Sequence, residues 1–148
     1  FSTPVTSDCA SLNHLINKVL QASKKIRFMR DLTRGGLATV LNELTGMIKS
    51  GIEINEALVP VDDPVKGLCE MLGFDPLYLA NEGKVLIVVG SGEEKRVLDI
   101  LRSDPLGKYS ELIGEIIPDK RNLVVLNTSI GGKRILDMPS GNQLPRIC

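Results

Sequence analysis

The sequence has no net charge and no stretch dominated by one sign. Its 18 basic and 18 acidic residues are interleaved along 148 positions. Proteins that bind nucleic acids or anionic membranes by electrostatic attraction carry a basic patch or stripe. The balanced charge therefore argues against a nucleic-acid-binding protein and against a protein held to a membrane surface by charge.

Long apolar runs and paired cysteines are also missing. No apolar run approaches the length of about 20 residues that a membrane-spanning helix needs, and the first residues lack the pattern of a secretory signal. Cys9, Cys69 and Cys148 lie far apart and form no C-x-x-C pair. This spacing argues against a disulfide framework and a zinc site, so we expect no bound metal and reduced thiols in the cytoplasm.

The apolar residues that are present follow two periodicities. Helical stripes occur at 12–20, 37–48, 65–72 and 97–101, and strand candidates at 26–29, 52–54, 85–89, 112–117, 123–126 and 134–136. The continuous apolar run 85–89 predicts a buried central strand. The last three strands predict an antiparallel meander. This order is typical of an α+β fold, a layered sandwich with helices on a mixed, largely antiparallel sheet.

The two ends of the chain differ from its middle in composition. Residues 1–7 are rich in Ser, Thr and Pro and do not begin with Met, so we expect a linker from a missing upstream domain. Residues 8–136 carry the periodic pattern of one α/β domain. Residues 137–148 have no periodicity and predict a flexible tail that ends in Cys148. Fully extended, such a tail spans about 40 Å.

A polar, glycine-rich turn separates a strand from the longest helical stripe. Its candidate residues are Asp31, Thr33, Arg34, Gly35 and Gly36. The turn is not a P-loop, because the Lys-Ser/Thr ending is absent. A helix start with glycines favours an anion, because the glycines let a ligand approach the backbone. In this interpretation Thr33 caps the helix and Asp31 holds a metal-bound phosphate. Alternatively, Asp31 fixes the turn and the glycines allow close packing; both interpretations remain open.

Three motifs together carry a family likeness. They are MRDLTRGGLAT at 29–39 with LNE at 41–43, YLANEGK at 78–84, and PRIC at 145–148. They resemble the C-terminal domain of the HypE hydrogenase maturation proteins, of the aminoimidazole ribonucleotide synthetase (PurM-like) superfamily. The likeness covers nearly the whole chain. The first two motifs occur more loosely across that ATP-binding superfamily, and the PRIC ending makes the resemblance specific.

The resemblance implies an ATP-dependent carbamoyl dehydratase, a lyase that turns a carbamoyl group on its terminal cysteine into a thiocyanate. The thiocyanate supplies the cyanide ligand for the iron of [NiFe] hydrogenase. ATP and Mg are expected mainly on the missing N-terminal domain, which also forms the homodimer, so this chain alone is expected to be inactive. The implied partners are a HypF-type carbamoyltransferase and a complex of HypC and HypD.

The same resemblance assigns roles to individual residues. Cys148 and Glu82 are expected to be catalytic: the thiol of Cys148 carries the group and Glu82 is the base that removes protons from its nitrogen. Pro145 and Arg146 are expected to position the tail, and the glycine-rich turn to face the nucleotide or the path of the tail. The alternative class is a non-catalytic binding module that a partner docks through the C-terminal tail.

Overall fold

The computed structural model describes residues 5–138. Within this range the helices are α1 Asn13–Ala22, α2 Gly36–Ile48, α3 Asp63–Leu72 and α4 Glu94–Arg102, and the strands are β1 Ile26–Leu32, β2 Gly51–Asn55, β3 Asn81–Val89, β4 Gly114–Ile117, β5 Val124–Asn127 and β6 Lys133–Ile135. Short 3₁₀ turns occupy Glu56–Leu58, Pro76–Tyr78 and Pro105–Gly107. The predictions for Pro145, Arg146 and Cys148 lie outside the described residues.

The helices form where apolar residues recur at helical spacing. In α2 the buried positions Leu37, Val40, Leu41 and Leu44 make one continuous stripe. α3 begins with a proline in its first turn and ends at Gly73, whose φ of 71° lies in the left-handed region. The longest helix in the described range has 13 residues. No helix in that range is long and apolar enough to cross a membrane.

The strands of the described range form two sheets. β1 and β3 make a two-stranded antiparallel sheet, and a second sheet has the order β4-β2-β5-β6. In the second sheet β2 runs parallel to β5, and the other pairs are antiparallel. The mixed α+β class predicted from the sequence is confirmed.

The predicted meander of β4, β5 and β6 is wrong, because β2 is inserted between β4 and β5. β2 brings Ile52 and Ile54 beside Val124 and Leu126 of β5, and all four are at most 4% exposed. On its other side, β2 pairs with strand β4, which places Gly114 opposite Ile54 and the exposed Ile116 opposite Ile52. Pairing β2 with β5 therefore buries more apolar surface than a β4–β5 hairpin would.

Two apolar clusters lie on opposite faces of the β1–β3 sheet. The larger one joins α2 to the four-stranded sheet and includes Leu86 and Val88 of β3. The smaller one joins α1 to α4 and includes Ile87 and Val89. Residues 85–89 are half-buried, so the expected buried central strand is wrong: β3 has apolar cover on both faces but, among residues 5–138, only β1 as a strand neighbour.

Candidate functional site

The glycine-rich turn and the segment before β3 lie against each other. The antiparallel register places Leu32 opposite Asn81. Gly36, the first residue of α2, lies against the backbone of residues 77–79: a Cβ atom built at Gly36 would be 2.5 Å from the carbonyl oxygen of Leu79 and 2.6 Å from that of Leu77. Two motifs that are far apart in the sequence therefore form one surface.

Both glycines of the turn have a backbone conformation that favours glycine. Gly35 and Gly36 have φ angles of 64° and 62°, and a Cβ atom at Gly35 would collide with the Thr39 hydroxyl. The 77–79 backbone occupies the space beside Gly36. This geometry supports close packing as the reason for the two glycines, while contact of the turn with a nucleotide stays a prediction.

Asp31 fixes the turn through Thr33. Its Oδ1 accepts hydrogen bonds from the Thr33 hydroxyl at 2.5 Å and from the Thr33 backbone nitrogen at 3.3 Å. These bonds, the hydroxyl one above all, hold the pKa of Asp31 below its usual 3.8. The expectation that Thr33 caps α2 is wrong: the N-cap is Gly35, without a side-chain bond, because the nearby carboxylate engages the Thr33 hydroxyl.

Arg34, the remaining residue of the turn, is exposed. No acidic side chain between residues 5 and 138 forms an ion pair with Arg34, although other arginines of the domain, such as Arg30 and Arg102, form them. Its guanidinium is therefore available to an anionic group from outside the described residues.

Glu82 lies on an irregular stretch of β3 rather than in a turn before the strand. Asp31 pairs with Val85 and Leu32 with Asn81, so residues 82–84 have no partner on β1. Such bulges bend a strand and re-aim its side chains, often next to functional sites. The Glu82 side chain is exposed, and its carboxylate has no hydrogen bond or ion pair within the described part of the chain.

The N-terminal segment holds this bulge in place. The backbone nitrogen of Glu82 donates to Oδ2 of Asp8 at 3.1 Å, and the Asp8 carbonyl lies where a Cβ atom of Gly83 would be. The missing side chain at Gly83 thus allows the two backbones to cross. Glu82 is therefore fixed through its backbone, while its carboxylate has no partner among the described residues.

The end of the described chain lies beside the same segment. The Tyr78 hydroxyl donates to the backbone carbonyl of Asp137 at 2.9 Å. Tyr78 precedes Glu82 by four residues. Asp137, the first residue of the predicted tail, therefore contacts the segment that leads to the candidate base.

The cysteines of the described range have no arrangement that suggests catalysis. Cys69 is 4% exposed; burial, and secondarily the charge of Asp75, raises the pKa of its thiol. Cys9 is exposed. Between residues 5 and 138 no three His, Cys, Asp or Glu side chains come together as a metal site would require.

Sequence reasoning missed three residues that shape this site. Nothing in the sequence marks Asp8 as a partner of Glu82. Tyr78 and Asn42 both lie inside the quoted motifs, but no role was assigned to either. Their position in those motifs was the one available signal.

Comparison with known proteins places the chain in a family. Residues 3–127 match the family model for the AIR synthase related protein, C-terminal domain. The chain therefore belongs to this family of C-terminal domains, as the motifs predicted. Its two-sheet α+β architecture is the fold of that family's HypE structures described next.

Within the family the similarity to HypE extends over the whole chain. The chain is 44% identical to carbamoyl dehydratase HypE of Cupriavidus necator over 100% of its own length and 42% of that relative. A HypE crystal structure in complex with ATP matches with a TM-score of 0.92 and 40% identity over 100% of this chain and 45% of that one. A HypE–HypF complex matches with a TM-score of 0.88 and 45% identity over 94% and 45%. The chain spans less than half the length of these relatives.

Proposed function

We propose that this chain is the C-terminal domain of a HypE-type carbamoyl dehydratase, in which Cys148 carries the carbamoyl group and ATP drives its dehydration to a thiocyanate. The carrying observation is the 44% identity to a carbamoyl dehydratase over the whole chain. The surface shared by the glycine-rich turn and the Glu82 bulge supplies a place for the reaction. The product would be the source of the cyanide ligand of [NiFe] hydrogenase iron.

The proposed dehydration removes the carbonyl oxygen and both protons of the amide nitrogen. The carbonyl oxygen of the S-carbamoyl group attacks the γ-phosphorus of ATP and releases ADP, and the nitrogen loses its first proton. The nitrogen then loses its second proton, the C–O bond breaks, phosphate leaves and the C≡N bond forms. Each proton needs a base near the nitrogen.

Glu82 is the proposed base, because its carboxylate is exposed and unpaired among the described residues while its backbone is held by Asp8. A carboxylate that has no competing ion pair can accept each proton in turn and return it to solvent between the two losses. Its place on a bulge directs it away from regular strand pairing. This combination makes Glu82 the strongest candidate base of the described range.

ATP and Mg are assigned mainly to an N-terminal domain that lies outside this chain. The described residues offer no cluster of metal ligands, and backbone closes one side of the glycine-rich turn at Gly36. Asp31 and Arg34 would then line the domain boundary toward the nucleotide. This chain alone is accordingly proposed to be inactive in dehydration.

The proposed partners follow from the reaction. A HypF-type carbamoyltransferase would load Cys148, in line with the HypE–HypF complex to which this chain is similar. HypC and HypD would accept the cyanide, and the full-length protein would form a homodimer through its N-terminal domain. We place these events in the cytoplasm, where thiols such as exposed Cys9 stay reduced.

Intact-mass measurement of the full-length protein tests the role of Cys148. After incubation with the carbamoyltransferase, carbamoyl phosphate and ATP, the wild type is expected to gain a carbamoyl group and then lose the mass of water. Cys148→Ser should still bind the transferase but should show neither change. Equal modification of Cys148→Ala and wild type would refute the proposal, and docking of an unmodified wild type would indicate a binding module instead.

The role of Glu82 has a separate test. Glu82→Gln should accumulate the carbamoylated species and form thiocyanate at least about 100-fold more slowly, the usual contribution of a general base. Glu70→Gln, which changes an exposed glutamate on α3, is the matched control and should behave as wild type. Thiocyanate formation at the normal rate in Glu82→Gln would remove Glu82 from the mechanism.

A further inference from the structure

Three of the last described residues, Arg134, Leu136 and Asp137, bind to other parts of the domain. Arg134 of β6 forms an ion pair with Asp75 at 2.5 Å. Leu136 is fully buried, and its backbone nitrogen donates to the carbonyl of Val124 at 2.9 Å. The Asp137 carbonyl accepts the Tyr78 hydroxyl. The described chain is therefore held in place as far as Asp137.

Asn42 of α2 completes this attachment. Its Nδ2 donates to the carbonyl of Leu136 at 2.8 Å and to that of Ala38, one turn earlier in the helix, at 2.9 Å. One amide group thus joins α2 to the end of the described chain. Without it, the half-buried carbonyl of Leu136 would lose its partner, which costs more than a surface hydrogen bond is worth.

The Tyr78 side chain is itself fixed by packing. It packs against the larger apolar cluster, and burial is the first cause that raises the pKa of its phenol, followed by the charge of Asp75. Asp75 also caps the 3₁₀ turn of Tyr78 by accepting from the Leu77 nitrogen at 2.9 Å. The Tyr78 hydroxyl is therefore a protonated, oriented donor.

The anchor and the candidate base belong to one short piece of chain. Tyr78 and Glu82 are four residue steps apart, a span of at most about 14 Å. From Asp137 to Cys148 there are eleven residue steps, which reach at most about 40 Å. A chain of that length is therefore long enough for the Cys148 thiol to reach the Glu82 bulge from Asp137.

We propose that Tyr78 and Asn42 are positioning residues for the terminal-cysteine reaction: they fix Leu136 and Asp137, where the predicted tail begins, against the segment that leads to Glu82. The inference rests on the proposed function above. Fixing one end of the tail near the base confines the volume that the thiol samples and raises its effective concentration there. Neither side chain takes part in the chemistry itself.

Single-turnover dehydration in the full-length protein tests this role. Carbamoylated protein is mixed with ATP, and thiocyanate on the C-terminal peptide is followed by mass spectrometry. Tyr78→Phe removes only the hydroxyl and is expected to slow thiocyanate formation about three- to tenfold, the range expected for one lost neutral hydrogen bond. The rate of carbamoyl loading by the transferase and the ATP concentration for half-maximal rate should not change.

Asn42→Ala provides a second, independent variant with the same expected pattern. Tyr109→Phe is the matched control, because Tyr109 is 68% exposed and its ring contacts Lys108; both steps should keep the wild-type rate. Hydrogen exchange in the absence of ATP adds a readout that needs no chemistry. The Leu136 amide should exchange faster in Tyr78→Phe and Asn42→Ala than in Tyr109→Phe.

The outcomes separate this inference from the function on which it rests. If the wild type forms thiocyanate and both Tyr78→Phe and Asn42→Ala form it at the same rate, the inference is overturned and the proposed function stands. An equal loss of loading and dehydration would also overturn it, because a general structural defect moves both steps. Absence of thiocyanate in the wild type would overturn the proposed function and the inference together.

Discussion

Gly36 joins the two motifs of the candidate site by having no side chain. Its φ of 62° lies in the left-handed region, and the carbonyl oxygens of Leu77 and Leu79 approach where a Cβ atom would be. An L-residue there would pay both for the backbone conformation and for displacing backbone that cannot rotate away. The junction between the turn and the Tyr78 segment therefore depends on this one glycine.

Gly36→Ala is predicted to lower the free energy of unfolding by at least about 2 kcal/mol, since left-handed strain and a backbone collision add. The measurement is urea unfolding of the isolated chain. Gly67→Ala is the control: Gly67 lies in α3 with nothing near its Cβ position, so alanine there should stabilise by about 0.5–1 kcal/mol. An unchanged urea midpoint for Gly36→Ala would contradict the close packing.

Among the elements, α1 is tied to the turn after α4 by one carboxylate. Asp104, whose side chain is 6% exposed, accepts from Lys18 Nζ at 2.8 Å and contacts His14 Nε2 at 3.2 Å. Its other oxygen accepts from the Leu106 nitrogen at 3.1 Å and caps the 3₁₀ turn Pro105–Gly107. The Lys18 hydrogen bond is the main cause that holds the pKa of Asp104 below 3.8.

This lowered pKa predicts an acid-sensitive contribution to stability. Because the folded-state value lies below the unfolded value of 3.8, the stabilisation is present above that pH and is lost as the pH falls through the folded-state pKa. Urea midpoints measured between pH 5 and pH 2.5 should fall less steeply in Asp104→Asn, which keeps the cap. Asp99→Asn, on the exposed face of α4, should keep the wild-type slope; equal slopes in all three proteins would contradict the prediction.

Across the whole molecule, β3 connects the two apolar clusters. Leu86 and Val88 belong to the larger cluster and Ile87 and Val89 to the smaller one. Alternation along a strand places neighbours on opposite faces, so neither cluster can open without disturbing the strand that the other needs. The two clusters should therefore unfold in a single step.

Val19→Ala in the smaller cluster and Val124→Ala in the larger one test this cooperativity. Both side chains are fully buried, and each substitution should cost about 2 kcal/mol of global stability without changing the dependence on urea concentration. Circular dichroism and tyrosine fluorescence should give the same midpoint in each variant. Ile130→Ala, at a position 95% exposed, should stay within about 0.5 kcal/mol of wild type; two separate transitions would show that the clusters unfold independently.

Features that depend on neighbouring residues along the chain could be predicted without the structure. The apolar stripe at 37–48 placed α2, and the stripe at 65–72 placed α3. Each of these follows from contacts within one or two turns. The motifs at 29–39 and 78–84 likewise identified the family, because a motif is a local pattern.

The tertiary structure alone decided which distant segments meet. The bonds Asp8–Glu82, Tyr78–Asp137 and Asn42–Leu136 join residues 74, 59 and 94 positions apart. Periodicity also could not show that β2 separates β4 from β5 or that β3 pairs with β1 in a separate sheet. Such pairings are set by the apolar area that the whole chain buries against the entropy of closing its loops, and no local pattern reports that balance.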